Sequence, residues 1–345
     1  MKILLFKIGA IGDVLMTTPL IRQLRKNFPD AKIDYLVGDY SKVILKRNKY
    51  LDKILTFDSM IFVKKKIFKW IKLIRSVRKR RYDVIFVLDK HWIFNLTAFL
   101  FGIKRRIGFD RLGKEGIFLT DKIYYGPVRH EIFYYLDLLK AFGGKTNYKD
   151  WKMDLFLSKE DEEFADKIWR KYKLKGKKVV GVAPGGGKNP GQFLSIKIWP
   201  WQNYSKLIEK LIEMGKYIIL VGGDDDKEIA KKIMNKTNQT KKAINLIGNT
   251  SIKQSAAIIK KCCYFICNDS GAMHIAASVN DRIISLFGPT DPRRLAPLYN
   301  SSNHIWKEKK ACYDIFGNSK ECKGDEIKKI KTEDVIKKQK KLGNV

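Results

Sequence analysis

The chain lacks an apolar run long enough to cross a bilayer. A spanning helix needs about 20 such residues, and the nearest approach, Trp92 to Ile103, is shorter and interrupted by Asn95. The opening Met1-Lys2-Ile3-Leu4-Leu5-Phe6 is not read as a signal peptide, because Lys7 and Asp13 break the stretch and no small-residue cleavage site follows. Cysteines are few and odd in number, five in 345 residues. Cys262, Cys263 and Cys267 sit in an apolar, strand-like run, and Cys312 and Cys322 are too sparse for a four-ligand metal site. This pattern predicts a reducing, cytoplasmic setting and no metal. Acidic groups are also scarce, 36 against 70 Lys and Arg, which leaves a net charge of +34. Such an excess favours anionic partners: nucleic acid, anionic lipid or phosphorylated sugars. The competing explanation is compositional, since Lys, Ile and Asn are abundant throughout. Finally, no complete G-x-G-x-x-G and no Walker lysine is present, which argues against a nicotinamide enzyme or an ATPase.

What is present is a parallel α/β pattern, met twice. The 45% hydrophobic content excludes a disordered chain, and the length accommodates two cores. Ile3 to Phe6 reads as a strand, Gly9-Ala10-Ile11-Gly12-Asp13 as a glycine loop, Val14 to Phe28 as a helix and Ile33 to Val37 as the next strand. Tyr82 to Asp89 is another strand, whose far end delivers Asp89, Lys90 and His91 to a loop. Lys104-Arg105-Arg106-Ile107-Gly108 reads as a basic turn before a short strand. His130 to Phe142 is helical and stops at Gly143-Gly144. The pattern restarts with Val179 to Ala183, followed by Pro184-Gly185-Gly186-Gly187, and Tyr217 to Val221 leads into Gly222-Gly223-Asp224. These breaks predict an N-terminal Rossmann-like domain over 1–150, a linker region over 151–177, a C-terminal Rossmann-like domain over 178–324 and a Lys-rich closing helix over 325–345.

The densest candidate for chemistry is Asn268-Asp269-Ser270-Gly271-Ala272-Met273-His274, between the apolar run Tyr264 to Cys267 and a helical pattern. A strand feeding a helix through small polar residues gathers free N–H groups and the positive end of the helix dipole, which suits phosphate. The second strand, Ile283 to Phe287, ends in the rigid turn Gly288-Pro289-Thr290-Asp291-Pro292. A plain reading makes Asp269 a cap and His274 a packed helix residue. Asp13, after two glycines, is either a general base or a helix N-cap. His91 is a loop histidine that could ligate or catalyse, though a lone one more often does neither. Asp224-Asp225-Asp226 fits helix capping and ribose contact better than metal. Residues 64–81 hold ten Lys and Arg and no acid, with Ile67, Trp70, Ile71, Ile74 and Val77 at helical spacing. That is a basic amphipathic helix, suited to an anionic membrane or simply to packing its stripe on a sheet.

Taken together, these segments resemble the heptosyltransferase family of glycosyltransferases, over about residues 1 to 340. The resemblance rests on Lys7-Ile8-Gly9-Ala10-Ile11-Gly12-Asp13-Val14-Leu15 with Thr18-Pro19, Tyr82 to Asp89 with Arg106-Ile107-Gly108, and Pro184-Gly185. It continues through Lys197-Ile198-Trp199-Pro200, Gly222-Gly223, the 268–274 segment and Phe287 to Pro292. It implies a GT-B fold, with two Rossmann-like domains facing a central cleft. It implies an inverting, metal-free transfer from a nucleotide-sugar, typically ADP-heptose, to a lipid-linked or oligosaccharide acceptor of the lipopolysaccharide inner core, with no cofactor. On this reading Asp13 is the base and Lys197 holds donor phosphate. Asp269, Ser270, Gly271 and His274 form the donor loop, and Thr250 lies near the nucleobase; Asp224, from its own place after a strand, joins them as a candidate for the ribose. Lys7, Gly9, Gly12, His91 and Arg106 are acceptor-side or loop candidates. Two alternatives stand beside it: another activated sugar, or a non-catalytic basic protein holding nucleic acid or anionic membrane. No recognisable nucleic-acid motif supports the latter. Peripheral contact with the inner face of an anionic membrane is compatible with any of these readings.

Overall fold

The computed structural model describes residues 1–189, 192–237, 241–313 and 320–342. The chain divides into two compact units, Met1–Phe156 and Leu157–Val345. The first holds six parallel strands: β1 (Lys2–Lys7), β2 (Lys32–Gly38), β3 (Lys53–Phe57), β4 (Val84–Val87), β5 (Arg105–Arg111) and β6 (Asp121–Tyr125), in the order β3-β2-β1-β4-β5-β6. The second unit holds β7 (Val179–Ala183), a small antiparallel hairpin of β8 (Lys188–Asn189) and β9 (Gln192–Phe193), then β10 (Tyr217–Leu220), β11 (Ala243–Asn245), β12 (Tyr264–Asn268), β13 (Ile283–Phe287) and β14 (Asn303–Trp306). Its main sheet is ordered β11-β10-β7-β12-β13-β14. Central strands such as β7, β12 and β13 are buried at every position. That is why they read as continuous apolar runs: helices cover both faces of a parallel sheet.

In each unit the chain winds outward on one side, then crosses to the other. The reversals fall between β1 and β4 and between β7 and β12, and the crevice beyond the carboxyl ends at such a point is where open α/β sheets bind ligands. In the first unit this places Lys7 to Asp13 beside Leu88 to His91. In the second it places Ala183 to Gly187 beside Asn268 to Gly271.

Several expectations change. The helix expected over Val14 to Phe28 is two helices, Ile11–Met16 and Thr18–Asn27. Pro19 has no N–H for the Leu15 carbonyl, and the Thr18 hydroxyl takes its place at 2.7 Å. Thr17 donates to the Val14 carbonyl at 2.7 Å and fixes the break. Arg105 to Gly108 lie inside β5, not in a turn before it. The 151–177 stretch splits at Phe156, and its helix Lys159–Lys171 packs within the second unit against the helix Ile252–Lys261. The closing helix Thr332–Lys341 also belongs to that unit: Ile330 and Val335 enter its core, and the buried Trp199 indole donates to the Ile330 carbonyl at 2.9 Å. Residues 343–345 lie outside the described residues. Cys312 and Cys322 form a disulfide, which the spacing alone did not suggest. The backbone N–H groups of Cys312 and Tyr313 both donate to the Pro289 carbonyl, and the two cysteine Cα atoms stand 5.0 Å apart. Disulfides persist in oxidising surroundings, so the cysteines no longer argue for a reducing compartment.

Candidate active site

At the carboxyl ends of β1 and β4 the first unit gathers a buried, charged cluster. Gly9 turns the chain with φ +38°, and a Cβ there would meet Val14 at 2.8 Å, so the turn into the helix Ile11–Met16 needs glycine. Asp13 lies in the first turn of that helix and Gly12 is buried beside it. Lys7 is 2% exposed and pairs with Asp89 at 3.1 Å. The other Asp89 oxygen accepts the Ile8 N–H at 2.6 Å. Lys90 donates to Glu131 at 2.6 Å and to the Tyr135 hydroxyl at 3.3 Å, and Tyr125 donates to the second Glu131 oxygen at 2.6 Å. Burial pulls both lysines toward neutrality, but the facing carboxylates outweigh it and hold them firmly protonated. Asp89 leads for Lys7, Glu131 leads for Lys90, and Asp13 contributes to each. Asp13 is therefore a carboxylate within electrostatic reach of two fixed cations.

At the carboxyl ends of β7 and β12 the second unit gathers a different set. The helix Gly271–Val279 starts at Ser270, whose side chain makes no capping bond; its buried Oγ has no partner among the described residues. The first N–H groups of a helix have no intrahelical acceptor and present partial positive charge. Lys197, at the end of a short 3-10 turn, donates to Asp269 at 2.8 Å. Asp269 is 4% exposed and also accepts from the Thr290 hydroxyl at 2.6 Å. Burial pushes its carboxyl upward, yet the Lys197 charge, the two hydrogen bonds and nearby His274 leave it below the ordinary carboxylate value. Asp269 thus fixes the lysine beside the helix start. Gly186, at φ +92°, passes so close to Ser270 that a Cβ would come within 2.6 Å of its Cβ.

The depressed Asp269 value has a consequence for stability. A carboxyl whose folded pKa is lowered adds stability above its unfolded value, about 3.9, and loses it as pH falls through the folded value. Removing one partner of a buried pair costs about 3–5 kcal/mol. Asp269→Asn is expected at the low end of that range, because Lys197 keeps some access to solvent. In urea unfolding, the gap between wild type and variant should be full at pH 7 and close as the pH drops below about 3.9. A gap that persists unchanged in acid would contradict the pairing.

Thr250 and Asp224 also fall at the carboxyl edge of the second sheet. Thr250 shares a hydrogen bond with Ser255 at 2.7 Å, and Asp224 pairs with Lys227 at 2.6 Å, against Gly248. The three aspartates do not converge as a metal site would: Asp226 turns inward and accepts from Gly186 at 3.2 Å and Gly223 at 3.0 Å, tying the two glycine loops together. Among the described residues, the one grouping of metal-ligand type is Cys312, Cys322 and Glu326, and its sulfurs are bonded to each other.

Three candidates take other tasks. Lys7 is not a loop residue but the buried partner of Asp89. His91 caps the helix Trp92–Leu100, its Nδ1 accepting the Ile93 N–H at 3.3 Å, and burial, with Arg111, lowers its pKa despite Glu115. Arg106 lies at the opposite, amino-terminal edge of β5, where its guanidinium donates to the carbonyls of Phe118, Ile103 and Lys104. Sequence reading did not single out Glu131, and it gave no separate role to Asp226 or to Asn268. This fully buried amide accepts from Trp199 N and the Tyr204 hydroxyl and donates to the carbonyls of Pro184 and Gly185. It holds the Lys197 segment and the glycine loop to the end of β12.

Two doubly wound units of the same strand order, with polar groups gathered at both switch points, have the GT-B fold, and the chain is a glycosyltransferase. Its family follows from comparison with known proteins. Glycosyltransferase family 9 (heptosyltransferase) matches residues 70–324, and the chain belongs to that family. It is 27% identical over 318 residues to lipopolysaccharide heptosyltransferase 2 of Escherichia coli (strain K12), covering 88% of each chain. It is 29% identical over 295 residues to lipopolysaccharide heptosyltransferase 3 of the same strain, covering 81% of this chain and 80% of the other. Among solved structures, E. coli ADP-heptose lipopolysaccharide heptosyltransferase II matches with a TM-score of 0.76 at 24% identity, over 99% of this chain and 98% of that one.

Proposed function

We propose that the chain transfers heptose from ADP-heptose to a lipopolysaccharide inner-core acceptor, with inversion and without a metal ion. The observation that carries the donor half is the Lys197–Asp269 pair beside the open start of the helix Gly271–Val279. The names of the relatives support heptose and lipopolysaccharide as donor sugar and acceptor. The chemistry balances on the chain's own groups. Asp13 takes the proton of the acceptor hydroxyl, and that oxygen bonds to the anomeric carbon. The bond from the anomeric carbon to the phosphate oxygen breaks, and the electron pair leaves on the nucleoside diphosphate. Lys197 and the N–H groups at Ser270 and Gly271 stabilise the charge growing on those oxygens, which a metal would otherwise do. On this reading Asp224 and Thr250 meet the nucleoside.

Thermal unfolding against ADP, UDP, GDP, CDP and ADP-sugar tests the donor assignment. At about 100 times its Kd a ligand adds roughly 2.7 kcal/mol, which for a chain of this size is a rise of several degrees. The expected result is a shift selective for ADP. A shift confined to UDP or GDP would keep the glycosyltransferase and remove ADP-heptose, leaving a different activated sugar as the donor.

A further inference from the structure

The helix Ile67–Arg78 carries two apolar faces, and the core uses one of them. Leu73 and Val77 are buried, with Trp70 and Ile74 partly buried against the core of the first unit. The Trp70 indole is anchored to the Thr97 hydroxyl at 3.1 Å. This inner stripe differs from the one the sequence periodicity suggests, because Ile67 and Ile71 are not part of it. They stay outside with Phe68, at 57%, 38% and 86% exposure respectively. A side chain as large as Phe68 left almost fully in water is not explained by the fold. Lys72, Arg75, Lys79 and Arg80 follow along the helix and line one shallow groove with Phe68 and Ile71. None of these four cations has an ion-pair partner among the described residues, in contrast to Lys66 and Lys69, which share Asp58.

The topology fixes where this face lies. The helix follows β3, so its first turn, with Ile67 and Phe68, sits toward the carboxyl edge of the sheet, the same edge that carries Asp13. The helix Trp92–Leu100 follows β4 and packs beside it, and it too begins at that edge with an exposed aromatic, Trp92, 42% accessible. Apolar side chains near the helix start, followed along its outer face by cations, match the layered chemistry of a bilayer surface: apolar groups reach the acyl boundary while Lys and Arg meet anionic headgroups.

We propose that this face of the first unit docks on an anionic lipid bilayer, with Phe68, Ile67 and Ile71 inserted and Lys72, Arg75, Lys79 and Arg80 on the headgroups. The surface stands apart from the donor and acceptor assignments and holds whichever sugar is transferred. A bilayer is favoured over nucleic acid because the unpartnered groups include large apolar side chains, which phosphate contacts alone do not require.

The test is cosedimentation of the full chain with vesicles of phosphatidylglycerol and phosphatidylcholine, beside vesicles of phosphatidylcholine alone. Wild type is expected to bind the anionic vesicles and to release them as salt rises. Phe68→Ser/Ile71→Ser and, separately, Lys72→Glu/Arg75→Glu should each lower the partition coefficient about tenfold or more. These side chains are exposed, so unfolding curves and any nucleotide shift should match wild type and certify the fold. Wild-type binding that either variant leaves unchanged would overturn the proposal. So would binding to generic DNA that the charge reversal abolishes and Phe68→Ser/Ile71→Ser does not touch, which would assign the face to nucleic acid. A concentration-dependent dimer that dissolves in the Phe68→Ser/Ile71→Ser variant, without vesicle binding, would assign it to a second copy of the chain.

Discussion

Asp13→Ala is expected to reduce sugar transfer by about 10²–10⁴-fold, the range over which a positioned general base acts, while leaving the nucleotide-induced thermal shift intact. A free aspartate is a weak base, with a reference pKa of about 3.9, so its value here depends on placement more than on proton affinity. The structure shows how that placement is built. Asp89 ties the Ile8 N–H and the Lys7 ammonium together just before the Gly9 turn, and the helix that carries Asp13 starts two residues beyond it. Asp13→Asn should lose nearly as much as Asp13→Ala, because an amide keeps the shape and lacks the basicity. Turnover within threefold of wild type in either variant would remove Asp13 from the chemistry. Loss of the nucleotide shift together with transfer would recast it as a donor-site residue.

Lys197→Ala is expected to lower kcat by about 10²–10³-fold, the effect of deleting one preorganised donor to developing charge, worth roughly 3–4 kcal/mol. The loss should appear in kcat more than in KM, since the charge on the leaving diphosphate grows toward the transition state. The variant also leaves the Asp269 carboxylate buried without its lysine, though still bonded to Thr290, and a charge that has lost its counterion can itself distort the helix start. Lys197→Ala/Asp269→Asn separates the two effects. It should recover stability lost by the single variant without recovering kcat. Recovery of kcat to near wild type would show that Lys197 serves only to neutralise Asp269.

The strands were legible because a sheet covered on both faces is written as short continuous apolar runs, and β1, β4, β7, β12 and β13 each appear that way. The place of the candidate site on the sheets was legible to the same degree, since small polar residues after those strands can only fall at the carboxyl edge. What stayed hidden depends on contacts between distant residues. Lys90 and Glu131 are 41 positions apart and share no pattern. Lys7, one charge at a strand end, reads as a boundary residue until Asp89 is seen opposite it. Of three consecutive aspartates, sequence does not tell which turns toward Gly186 and Gly223; it is Asp226. Asn268 stood at the head of the candidate segment without a role of its own, and its four hydrogen bonds reach segments more than 60 residues away. Arg106 misled for a related reason: its residue type suits an anion, but its place at the start of β5 turns it to the other edge.

The most direct test is the initial rate of transfer from ADP-heptose to a heptose-deficient lipopolysaccharide core, followed by mass of the product and release of ADP, with and without EDTA. The expected result is a product heavier by one heptose, stoichiometric ADP, an unchanged rate in EDTA and a rate lowered about 10²–10⁴-fold in Asp13→Ala. ADP-heptose that is bound and never consumed in the presence of that acceptor, or a rate abolished by EDTA and restored by a divalent metal, would contradict the proposed metal-free heptose transfer.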